Sequence, residues 1–91
     1  MSDNRFLLLD FYADWCEPCK WADPIFNEVT LHFKDRFSVE KIDVDRQADV
    51  AAKHRVMSVP TFVLLKNGEE VWRKNGFDTA PKMIQDLSQY L

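Results

Sequence analysis

The run Phe6-Leu7-Leu8-Leu9-Asp10-Phe11-Tyr12 constrains this chain most. It is short, almost continuously apolar, and does not alternate. A strand with one wet face alternates, whereas a strand covered on both faces does not. The run therefore predicts an interior strand with helices on both sides of its sheet. The rest of the chain supplies those helices and further strands. Residues 15–34 read as helix, with Trp21, Ile25, Phe26, Val29, Leu31 and Phe33 as an approximate 3.6-residue stripe. Pro18 suits the first turn, where its missing N–H costs nothing, and Pro24 predicts a kink. Residues 37–44 alternate as a second strand, and residues 45–55 read as a short helix through Val50, Ala51 and His54. Residues 61–66 form a third strand. Asn67-Gly68 is a hairpin turn, and residues 69–74 return as an antiparallel fourth strand. Thr79 is a good N-cap for a last helix faced by Met83, Ile84, Leu87 and Leu91.

The order β-α-β-α-β-β-α predicts an α/β sandwich, its first crossover right-handed. The length of 91 residues suits one domain over residues 1–91. A chain of this size buries about 65% of its unfolded surface, enough for a core without staples. With 46% hydrophobic and 30% charged residues and a net charge of −3, the chain is neither disordered nor a basic nucleic-acid binder. Two glycines leave no room for a Gly-rich phosphate loop. The first apolar run is too short for a signal or a membrane span, so the chain reads as cytoplasmic with no membrane partner.

Both cysteines sit in Cys16-Glu17-Pro18-Cys19. Such a pair reads as half a zinc site, a redox pair, or two inert thiols. Haem attachment needs His where this chain has Lys20. Cys16, Cys19 and His32 match three ligands of a zinc-finger spacing, but residues 34–37 hold no fourth, so no metal is expected. Context favours redox chemistry. The pair follows a buried strand and opens a helix, where free N–H groups and the macrodipole favour thiolate. Cys16, at the helix end, is then the attacking thiol and Cys19 the resolving one, with Trp15 shielding the pair. Asp10 lies inside the apolar run. Burying a carboxylate is expensive, and burial raises its pKa toward the range of a general base.

The segment from Leu9 through Cys16 and Cys19 to Lys20 resembles the active-site segment of thioredoxins. Pro24, Lys41-Ile42-Asp43-Val44-Asp45, Val59-Pro60-Thr61, Lys66-Asn67-Gly68 and Gly76 match the family in order. The resemblance implies a thioredoxin-like fold and a protein-disulfide reductase. Asp10 would accept the proton of Cys19, and Lys41 would pair with Asp10. It also implies a cis Pro60 beside the disulfide. Trp15, Val59, Pro60, Gly76 and Phe77 would form a substrate-binding patch. The cysteine pair carries the electrons, so no cofactor is implied. The partners implied are protein disulfides and a thioredoxin reductase. A docking module without turnover and a redox or metal sensor are the alternatives.

Departures from the family pattern carry expectations of their own. Glu17 replaces a glycine and, with Pro18, is expected to tune Cys16. Trp21 is bulkier than the usual aliphatic residue. Family members carry another strand and helix before the first strand, where this chain has residues 1–5. The expected sheet therefore has four strands in the order 2-1-3-4, and the open edge of the second suits a monomer or a weak dimer.

Overall fold

The computed structural model describes residues 5–91. The strand β1 (Phe6–Tyr12) leads into α1 (Glu17–Phe33), and a 3-10 turn (Lys34–Arg36) leads to β2 (Ser38–Asp43). Then come α2 (Ala48–Lys53), β3 (Thr61–Lys66), β4 (Glu69–Asn75) and α3 (Ala80–Leu87). The strands form one sheet in the order β2-β1-β3-β4. β1 runs parallel to β2 and antiparallel to β3, and β3 runs antiparallel to β4. This is the expected order, with β2 and β4 at the edges among the described residues.

β1 is interior because its side chains serve two cores. Leu8 enters one core with Phe26, Val29, Phe62, Leu64, Met83 and neighbours from α1 and α3. Leu9 and Phe11 enter the other with Ile42, Ala51, Val63 and Leu65, beneath α2. That two-sided burial explains the unbroken apolar run. The hairpin also follows its residues. Asn67 and Gly68 both take positive φ, 52° and 87°, which matches the twist of the strands they join. Thr79 caps α3 by accepting the N–H of Lys82 at 3.3 Å.

The helical stripe of α1 is the main correction. Trp21 is 62% and Leu31 70% exposed, whereas Cys19, Ala22, Phe26, Val29 and Phe33 face inward. Two small residues take the inner face near the helix start, and two large ones point to water. Reading the stripe by side-chain size hid this. Pro24 lies inside α1, which continues to Phe33 beyond it.

Phe62 is 1% exposed and stacks on Phe26 with ring centroids 5.5 Å apart. Phe62→Ala is expected to cost about 3–5 kcal/mol in urea-unfolding free energy. Leu31→Ala, on the wet face, is expected to change it by less than about 0.5 kcal/mol. Equal losses in the two variants would contradict this assignment of faces.

Candidate redox site

The site is built at the turn from β1 into α1. The strand ends at Tyr12, and the N–H of Cys16 donates to the carbonyl of Ala13 at 3.1 Å. Cys16 is the N-cap of α1, with extended backbone, and its Sγ accepts the N–H of Cys19 at 3.2 Å. A sulfur so placed receives a backbone donor and the positive end of the helix, both of which favour negative charge on it. Pro18 sits in the first turn and surrenders no needed donor. Cys16 and Cys19 are joined as a disulfide with Cα atoms 5.3 Å apart. Both are buried, at 3% and 5%, so exposure does not tell the two sulfurs apart as the sequence suggested. The capping position does.

Zinc through Cys16, Cys19 and His32 is contradicted by geometry. Cys19 and His32 lie thirteen residues apart on one continuous helix, about 20 Å at 1.5 Å per residue. The His32 ring instead packs edge-on against Phe33 at 4.8 Å.

The strand that leads into this turn carries Asp10. It sits in the middle of β1, 3% exposed, on the α1 side of the sheet, and its register partner in β2 is Lys41. Lys41 Nζ is 3.9 Å from Asp10 Oδ2 and 3.5 Å from Asp23 Oδ1, and it lies 5.4 Å from the Tyr12 ring centroid. Burial pushes the Asp10 carboxyl up from 3.8 to about 6; the Lys41 charge pulls it back, and the Asp23 charge adds to the rise. A cleft of about 210 Å³ opens beside this group, lined by Tyr12, Asp14, Cys19, Lys20, Asp23 and Lys41. Solvent thus reaches the Cys19 side of the disulfide.

Of the other predicted residues, Val59 is the one packed with Cys16. Val59 is half-buried and packs against the cysteine pair with Tyr12 and Val44. The Val59–Pro60 peptide is cis. The loop before β3 is tied down on both sides. Thr61 Oγ1 donates to the Ser58 carbonyl at 2.7 Å, and the N–H of Gly76 donates to the Pro60 carbonyl at 2.7 Å. Gly76 takes φ +85°, and a Cβ there would meet nothing within 4 Å, so open space faces its backbone. Phe77 is half-buried and packs on the α1/α3 core. Glu17 pairs with Lys20 at 3.1 Å, both side chains largely exposed, so its charge is shared locally.

Two pairings were not read from the sequence. The Trp15 side chain is 69% exposed. Its indole N–H donates to Asp45 Oδ2 at 2.8 Å. Asp45 is itself placed by buried Asp43, whose Oδ1 accepts the Asp45 N–H at 2.9 Å. Asp23 joins the Lys41 pair. Its spacing of four from Cys19 puts it on the cysteine's side of α1, a signal available from helical period alone.

The site thus combines a disulfide at a helix N-terminus, a buried carboxyl on the preceding strand, and Val59 packed against the cysteine pair. The sequence profile of the thioredoxin family matches residues 1–89, and the chain belongs to that family. It is 38% identical over 91 residues to thioredoxin Y1, chloroplastic, of Arabidopsis thaliana, covering all of this chain and 53% of that one. It is 36% identical over 84 residues to a thioredoxin of Staphylococcus aureus, covering 92% and 81% of the two chains. A bifunctional thioredoxin reductase/thioredoxin of Mycobacterium leprae is 35% identical over 88 residues, 97% of this chain and 19% of that one. The chain therefore spans about half the length of the Arabidopsis relative. Among solved structures, thioredoxin-2 of a malaria parasite, described as a component of its protein secretion machinery, superposes with a TM-score of 0.89. That match has 28% identity and covers 99% of this chain and 87% of that one.

The raised Asp10 pKa carries a stability signature. An acid with a raised pKa binds more protons folded than unfolded between its two values, so stability falls as pH rises through that interval. From pH 4 to pH 7 the wild type is expected to lose up to about 3 kcal/mol through Asp10, at about 1.4 kcal/mol per pKa unit. Asp10→Asn should lack this loss and be the more stable protein at pH 7. Urea titrations of both proteins across this range check it. Parallel pH profiles would contradict the burial of an ionisable Asp10.

Proposed function

We propose that this thioredoxin-family chain reduces protein disulfides, Cys16 attacking and Cys19 resolving. The observation that carries the reading is the Cys16–Cys19 pair at the N-cap of α1, and buried Asp10 on the preceding strand supports it. In the reduced protein the Cys16 thiolate attacks one sulfur of a substrate disulfide. That S–S bond breaks, a mixed disulfide forms, and the displaced substrate sulfur takes a proton. Asp10, as carboxylate, accepts the Cys19 proton. The Cys19 thiolate then attacks Cys16 Sγ, breaks the mixed disulfide and releases the second substrate sulfur. Two electrons pass to the substrate, and Cys16–Cys19 is left oxidised. An Asp10 pKa of about 6 suits a base working near neutral pH.

The residues around the pair would bind an extended substrate segment. Trp15 offers an exposed ring, Val59 packs against the cysteine pair with Pro60 next to it in the chain, and Gly76 leaves space for an approaching backbone. Lys41 moderates the charge on Asp10. No cofactor is needed, because the dithiol carries both electrons. The oxidised pair must be returned by a dithiol donor, and the fused mycobacterial relative supports a thioredoxin reductase in that role. A reductant needs a reducing compartment such as the cytoplasm. No described helix is long and apolar enough to cross a membrane. The chain would work as a monomer or as a weak dimer through the β2 edge.

Dithiothreitol-driven reduction of insulin tests the proposal. The wild type should accelerate it, Cys16→Ser should abolish the acceleration, and Cys19→Ser should accumulate a mixed disulfide with substrate. Asp10→Asn should slow turnover about tenfold or more near neutral pH. A wild type without turnover would favour a docking module instead.

A further inference from the structure

Asp23 has no part in the exchange just described, which supplies the reading that this inference deepens. It lies on α1 one turn beyond Cys19, and its carboxylate lines the cleft beside that sulfur. Its Oδ1 is 3.5 Å from Lys41 Nζ, closer than the 3.9 Å between Lys41 and Asp10 Oδ2. One ammonium therefore serves two carboxyl groups, one half-exposed and one buried. The two cannot be equally satisfied. A lysine held by Asp23 toward solvent gives less stabilisation to a buried carboxylate, and the Asp23 charge itself opposes ionisation nearby.

We propose that Asp23 is a positioning residue for the exchange, which holds Lys41 off Asp10 and so sets the pH at which Asp10 can take the Cys19 proton. The groups facing this point are few. α1 presents Asp23, Cys19 and Lys20, β2 presents Lys41, and the end of β1 and its following turn present Tyr12 and Asp14. The β3 residue opposite Asp10 is Phe62, which carries no charge. Of these, Lys41 and Asp23 are the charges that act on Asp10, in opposite directions. Lys41 favours the carboxylate and Asp23 the acid. A cell gains from this a base that keeps its proton closer to neutral pH than a Lys41–Asp10 pair alone would allow.

Asp23→Asn removes the charge at a half-exposed site, so the fold should persist, and an unchanged amide spectrum checks this. The readouts are the Asp10 carboxyl titration in the reduced protein by carbon NMR and the acid limb of kcat/KM for insulin reduction against pH. In Asp23→Asn both should move down by about half to one pH unit, with KM unchanged. Asp23→Glu should restore the wild-type positions. An Asp10 titration that stays in place in Asp23→Asn overturns the proposal, as does an equal shift in Asp23→Glu. Asp10→Asn keeps the two readings separable. If its rate profile retains the wild-type acid limb, Asp10 is not the base. The proposal then falls as a statement about exchange, even where the Asp10 titration moves.

Discussion

The rest of the site depends on the turn that joins β1 to α1. A strand covered on both faces has to end at the sheet's rim, and the helix that begins there points its free N–H groups back at the rim. Cys16 occupies the N-cap, so its sulfur meets those donors without any side chain being recruited for the purpose. Cys19 falls one turn later, close enough to bond. Move the helix start by two residues and the two thiols would no longer share that end. The reactivity of the pair thus follows from where a strand stops.

A second constraint comes from the same strand. Asp10 occupies a position that burial makes hostile to charge, and the fold carries the cost of ionising it there. Leu8 and Phe11 beside it are fully buried, and Phe62, its register partner on β3, is 1% exposed. Packing of that quality makes the environment apolar enough to hold the carboxyl well above its ordinary range. Stability and chemistry pull against each other at this residue, which is a common arrangement for a working acid or base.

Much of the fold was legible because its signals are local. An unbroken apolar run, an Asn-Gly turn and a Thr cap each depend on a few neighbouring residues, and all three appear where they were read. The paired cysteines were legible for the same reason. Reading the inner face of α1 failed at Trp21 and Leu31. Helical period assigns faces only when the right residues are weighted, and here Cys19 and Ala22 pack inward. The contacts of Phe77 with the α1/α3 core likewise lay outside what local signals could show.

The sequence by itself determined the order of the strands and helices and the placing of two thiols at a helix start. Both follow from side-chain period, turn chemistry and spacing along one stretch of chain. It also marked Asp10 as out of place in an apolar strand. Only the tertiary structure decided what those groups face. Lys41 reaches Asp10 and Asp23 because β2 lies in parallel register beside β1 while α1 crosses above. Trp15 finds Asp45 across thirty residues of chain. Such pairings are set by how layers stack, since charges distant along the chain meet only after the core has brought their elements together.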